Sequence, residues 1–211
     1  MEVFMSFVGI LGVLCLGIMS PGPSFVLVAR TSLAISRENG LATAAGMGCG
    51  GMVFALLALF GIQTILLGIP VLYLTLKVLG GLYLIYLSYL IWRGANETID
   101  LGDSSTTEGQ KLSRSFKVGL MTQLSNPKTA IFYGSVFAAL LPQNISLSLI
   151  IILAPIIFVL EAGWYSLVAV LLSSAAPRKH YLDSKLFLDR FASTAIGALG
   201  LKLLYDAVWA D

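Results

Sequence analysis

No charged residue interrupts the chain from Val3 to Ala29, and a second charge-free stretch runs from Asn39 to Leu76. A membrane-crossing helix needs about 20 apolar residues. The first stretch is therefore long enough for one crossing and the second for two, with a hairpin expected over Gln63–Pro70. Val71–Trp92 follows, broken only by Lys77, and then the sequence turns polar over Arg93–Arg114. Apolar sequence resumes at Phe116 and runs to Leu141, turns at Pro142–Asn144, and continues from Ser146 to Ala176 with only Lys128 and Glu161 as charges in these two runs beyond Lys117. A charged, mildly amphipathic segment, Pro177–Arg190, precedes a last apolar run from Phe191 to about Trp209.

The expectation is an all-α membrane protein of six transmembrane helices in one transmembrane domain, 1–211. The first three-helix repeat occupies about 1–92, a cytoplasmic loop about 93–115, and the second repeat about 116–211. Composition agrees: 57% of residues are hydrophobic and 11% charged, whereas soluble domains carry about a quarter charged residues. The net charge of +2 gives no basic patch of the kind that meets nucleic acid. Cys15 and Cys49 stand in apolar runs without a ligand-spaced partner and read as packing residues. The apolar run after Glu2 outlasts a signal-peptide core and reads as a retained span.

Cytoplasmic loops keep Lys and Arg. Arg30 and Arg37 follow the first span, Arg93, Lys111, Arg114 and Lys117 surround the third connection, and Arg178, Lys179, Lys185 and Arg190 fill the fifth. Both termini are then expected in the periplasm, with the protein in the bacterial inner membrane and the lipid bilayer as its solvent. Lys77 and Lys202 lie near periplasmic ends and can snorkel to water. Tyr83, Tyr86 and Tyr89, ending at Trp92, form an interfacial aromatic stripe read as an anchor. Ala42, Gly46 and Gly50 have the small-xxx-small spacing that brings helix backbones together, either within the bundle or across a homodimer face.

Two spans cannot be continuous helices. Pro21 and Pro23 in Ser20-Pro21-Gly22-Pro23-Ser24 remove two amide donors and restrict the residues before them, so the carbonyls of Gly17 and Met19 lose their helical partners and a new half-helix begins near Ser24. Ser125-Asn126-Pro127-Lys128-Thr129 repeats the device, with the carbonyl of Gln123 expected to be freed. Each break lies in the first helix of a three-helix half, and an odd number of crossings inverts the second half. Inverted repeats with broken first helices place the substrate where the breaks meet. Single proline kinks are common and need no ligand; the matched pair is what points to a site.

Lys128 and Glu161 lie deep in their spans, where an ionised side chain costs at least roughly 2.5–3.5 kcal/mol and marks function. A zwitterionic amino acid needs a partner for each charge. The half-helix N-termini after Pro23 and Pro127, with Lys128, suit a carboxylate; Glu161 and freed carbonyls suit an ammonium or a coupled proton. The alternative is a private Lys128–Glu161 ion pair that only fixes two helices. Ser24, Gln123, Thr129 and Tyr133 supply further polar groups.

MSPGPSFVLVARTSLAISRENGL and LSNPKTAIFYGSVF resemble the two signatures of the lysine-exporter superfamily, in its homoserine/threonine-resistance branch, with agreement in length and spans over nearly the whole chain. Glu161 followed by Trp164 resembles the threonine-export members most; where some of those carry Asp after the PGP motif, this chain has Ser24. The resemblance implies secondary export of a small neutral amino acid, threonine or homoserine, by proton antiport, with the substrate and protons as partners and no cofactor. Leucine or lysine export is the alternative within the family, as is an ion or metal exporter, but clustered oxygen or soft ligands are lacking and no metal is expected. An enzyme is not expected, since the only histidine, His180, lies in the charged loop and no nucleophile–base set stands out. No phosphate-binding G-x-x-x-x-G-K-[ST] loop supports ATP-driven transport; a passive channel stays open.

Overall fold

The computed structural model describes residues 2–20, 22–68, 70–97, 110–141, 147–173 and 175–209, with the side chains of 2–5, 62–68, 70, 73, 147–149 and 175–182 left aside. The described residues form eight helices: α1 (Glu2–Met19), α2 (Pro23–Ala34), α3 (Arg37–Gly68), α4 (Pro70–Gly94), α5 (Leu112–Leu124), α6 (Pro127–Leu140), α7 (Leu147–Leu172) and α8 (Ala175–Trp209). No strand occurs among them.

Helices α3, α4, α7 and α8 each hold a segment long and apolar enough to cross a membrane. The pair Ser6–Met19 and Pro23–Ala34, bent by 56°, makes a fifth such unit. The α5–α6 pair, expected to be a sixth, is less apolar, because Gln123, Ser125, Asn126 and Lys128 crowd its break. Both helical interruptions fall where the prolines require them: α2 begins at Pro23 behind Gly22, and α6 begins at Pro127 behind Asn126. A proline at the first helical position loses nothing, since that N–H has no intrahelical partner.

Several boundaries differ from the expected ones. Helix α3 continues to Gly68 instead of turning at Gln63, and α5 begins at Leu112, ahead of the apolar stretch. The segment expected as a charged loop before Phe191 belongs to one continuous helix, α8. Charge alone misread it, because Lys185 is buried: its ammonium pairs with Asp189 at 3.0 Å and donates to the carbonyls of Gly94 (2.7 Å) and Ala95 (3.1 Å) at the end of α4. A lysine on carbonyls at a helix C-terminus also complements the dipole there. Arg190 lies 3.7 Å from the centre of the Trp92 ring. The expected turn at Pro142–Asn144 lies outside the described residues.

Helix α3 is the centre of the bundle, packed along α5 on one side and α7 on the other, while α4 runs along α8 and touches α6. Glycine explains how close α3 and α5 come. A methyl on Gly46 would sit 2.1 Å from the Phe116 carbonyl oxygen, and one on Gly119 would sit 2.2 Å from that of Thr43. The small-residue spacing on α3 thus serves packing inside the bundle. Gly46→Ala is expected to destabilise the protein by about 1–3 kcal/mol or more, since the obstacle is backbone and cannot rotate away; a lowered unfolding temperature in detergent checks it. Below this seam, Ser115 donates to the Asn39 side chain at 2.6 Å and Ser32 to the Ala169 carbonyl at 2.7 Å, tying α5 to α3 and α2 to α7.

Candidate functional site

The two breaks meet. Ser24, in the first turn of α2, donates its hydroxyl to Gln123 Oε1 of α5 at 2.8 Å, and Asn126, which caps α6, donates from Nδ2 to Ser24 Oγ at 3.3 Å. Gln123 Nε2 donates to Glu161 Oε2 at 2.7 Å, and the Tyr133 hydroxyl donates to Glu161 Oε1 at 2.9 Å. The Lys128 amide donates to Asn126 Oδ1 at 3.0 Å. From Lys128 N–H through Asn126, Ser24 and Gln123, every hydrogen bond points the same way and ends on the Glu161 carboxyl. Bonds aligned in such a chain polarise one another, and this one aims donors at a carboxyl that is 1% exposed and needs them.

These groups surround a cavity of about 30 Å³ lined by Gly22, Pro23, Ser24, Gln123, Asn126, Lys128, Thr129, Tyr133 and Glu161. All the site residues named from the sequence are there except Pro127, which starts α6 on the far side of Asn126, and Pro21, which lies outside the described residues. Such a space holds about two waters, so it is too narrow for an amino acid as it stands.

The alternative, a private Lys128–Glu161 ion pair, is not formed; among the described residues the ion pairs join Lys185 to Asp189 and Lys202 to Asp206. The Lys128 ammonium instead sits beside the start of α2: a methyl placed on Gly22 would lie 3.5 Å from Nζ. Gly22 gives α2 no side-chain cap. A cation and the positive end of a helix dipole thus converge, an arrangement that favours an anion between them. The second half-helix contributes less than expected, because Asn126 Oδ1 already occupies the Lys128 amide. Nor is the Gln123 carbonyl freed, since it accepts from the Asn126 amide at 3.1 Å. The turn shifts the deficit to its neighbours. Thr122 O loses the Asn126 amide to Gln123, and Leu124 O loses the Lys128 amide to the Asn126 side chain.

Several residues of the site escaped sequence reasoning. Gly17, Ile18, Ser20, Phe132 and Tyr165 also line the cavity; Tyr165 stands one turn beyond Glu161 on α7, a spacing that could have found it. Tyr83, grouped with the interfacial tyrosines, instead donates to the Lys128 carbonyl at 3.3 Å and braces the second break, while Tyr86 and Tyr89 are exposed. The least visible is Gly51 of α3, where a methyl would fall 2.7 Å from Glu161 Cδ and 2.8 Å from Oε1. Gly51→Ala must displace the carboxyl from Gln123 and Tyr133. The protein is expected to lose the equivalent of about one charged hydrogen bond, roughly 1.5–3 kcal/mol of stability; thermal melts in detergent check it.

The LysE type translocator family model matches residues 15–207. A threonine efflux protein of Salmonella typhi is 34% identical over 188 residues, covering 89% of this chain and 91% of the relative. The threonine efflux protein of Escherichia coli K12 is 33% identical over 189 residues, with the same coverage. A leucine efflux protein of Salmonella choleraesuis is 27% identical over 185 residues, 86% of this chain and 84% of the relative. No solved structure matches the chain. The match over nearly its whole length, together with the apolar helices, makes this chain a multi-pass membrane protein that belongs to the LysE type translocator family.

Proposed function

We propose that this protein exports a small neutral amino acid, of the threonine or homoserine type, from cytoplasm to periplasm by proton antiport. The observation that carries the reading is the meeting of two broken helices around a cavity that has a cation at one part of its wall and a buried carboxyl at another. Lys128 and the uncapped start of α2 receive the substrate carboxylate. Glu161 receives the ammonium or the coupled proton, with Tyr133 and Gln123 aiming it, and Ser24, Asn126 and Thr129 complete the polar wall. Pro21, Gly22, Pro23 and Pro127 shape the breaks. The threonine efflux relatives support the substrate class.

In this reading the α5–α6 pair is the sixth crossing, the halves 1–92 and 116–211 are inverted repeats, both termini face the periplasm, and the protein resides in the bacterial inner membrane. A bound zwitterion does not fit a space for two waters, so the site opens toward each face in turn. Lys128 and Glu161, which form no ion pair with each other, are then bridged by substrate.

Proteoliposomes test this. Labelled threonine trapped on one side and unlabelled amino acid on the other should exchange, with threonine and homoserine as the strongest competitors, and an imposed pH gradient should drive net movement. Flux that rises linearly with concentration, shows no counterflow and ignores the gradient would mark a channel and reject the proposal.

A further inference from the structure

On the other side of Asn126 and Pro23 from the central cavity lies a second, larger recess of about 400 Å³, lined by Pro23, Met121, Thr122, Ser125, Asn126 and Pro127. The two spaces share Pro23 and Asn126 as lining residues, so those two residues are the partition between them. Three observations decide what fills the recess. Met121, Ser125, Pro127 and Pro23 are exposed there. The backbone at Ser125 and Asn126 is not helical. And the carbonyl of Thr122, a lining residue deprived of its usual amide donor by the turn, has no other hydrogen-bond partner among the described residues. Hydrocarbon cannot satisfy such groups; irregular backbone at membrane depth survives only within protein or against water.

We infer that this recess is a water-filled vestibule through which an amino-acid zwitterion reaches the narrow central cavity, and that the Asn126 side chain is its gate. The inference rests on the proposed transport function for its cargo, but the gate itself does not. Asn126 is suited to gating because its amide reaches both breaks, beside the Ser24–Gln123 bond: Nδ2 holds Ser24 of the first break and Oδ1 holds the Lys128 amide of the second. A rotation of that one side chain releases both bonds. It uncovers the α6 N-terminus and joins the recess, which is large enough for an amino acid, to the cavity, which is not. Pro23 and Pro127 flank the opening without amide donors, so neither half-helix start competes for the amide. Asn126 thereby moves from a shaping residue of the break to a positioning residue of the passage.

Thiol labelling reads access without transport. In a background with Cys15→Ala and Cys49→Ala, Ser125→Cys and Ser24→Cys are placed singly and treated, in lipid nanodiscs, with a charged methanethiosulfonate. The reagent attacks only thiolate, which needs water. Ser125→Cys should label readily and Ser24→Cys slowly; adding Asn126→Ala should raise the Ser24→Cys rate about tenfold or more, as one unit of restored ionisation implies, and leave Ser125→Cys unchanged. Thr122→Cys replaces Ser125→Cys if the latter does not accumulate in membranes. In proteoliposomes, a bulky adduct at Ser125→Cys should abolish threonine counterflow.

An unreactive thiol at both recess positions would show a lipid-covered or protein-covered surface and overturn the vestibule. A Ser24→Cys rate indifferent to Asn126→Ala would overturn the gate. Undiminished counterflow through the adduct would overturn the passage. Should the labelling pattern hold while unmodified protein shows no threonine counterflow, the vestibule stands and the amino-acid function falls.

Discussion

Glu161→Gln, present in the membrane at the normal level, is expected to lose threonine counterflow and pH-driven export together. The side chain is 1% exposed and its carboxyl accepts from both Gln123 and Tyr133. Glutamine preserves the bulk and can still accept at its oxygen, but it brings an amide NH₂ to face a donor and carries neither the charge that meets an ammonium nor a titratable proton. Removing one partner of a buried charged pair costs about 2–5 kcal/mol, which is about 30-fold to a few thousand-fold in affinity. Radiolabelled threonine uptake into everted vesicles, with and without a pH gradient, measures both losses. Normal export with normal pH dependence would reduce Glu161 to a packing residue.

Lys128→Met should be nearly as damaging, and by a different signature. Methionine keeps the length of the side chain against Gly22 while removing the ammonium that shares an anion with the start of α2. Threonine affinity is expected to fall by about 2–3 kcal/mol, roughly 30- to 150-fold. The residual affinity should depend less on ionic strength than that of the native protein, because the ammonium is gone and only the helix terminus is left to attract the carboxylate. Equilibrium binding to purified protein at low and high ionic strength separates these contributions.

Much of this architecture was legible in the residues. Proline chemistry located both interruptions, and the deep positions of Lys128 and Glu161 named the charged walls before any coordinates. What local sequence could not supply was the third dimension of the breaks. Whether a freed carbonyl belongs to Gln123 or to Thr122 and Leu124 depends on where the Asn126 amide turns, and a residue just outside a helix has two acceptors within reach. The burial of Lys185 was hidden for a related reason: a Lys-rich segment reads as solvated until the end of α4, distant in sequence, presents two carbonyls to it. Gly51 was invisible because its role is an absence. A glycine in an apolar helix announces a close neighbour without saying which, and only the packing of α7 on α3 identifies that neighbour as Glu161.

The most direct test pairs damaged protein with damaged substrate. Binding to purified protein is measured for threonine, for its analogue without the ammonium (3-hydroxybutyrate) and for its analogue without the carboxylate (1-amino-2-propanol), in the native protein, Lys128→Met and Glu161→Gln. If Lys128 holds the carboxylate and Glu161 the ammonium, removing the carboxylate should cost the native protein heavily and cost Lys128→Met little, while removing the ammonium should do the same against Glu161→Gln. Equal penalties for each analogue in all three proteins would mean that neither side chain touches the charge assigned to it, and the shared site at the two breaks would be refuted.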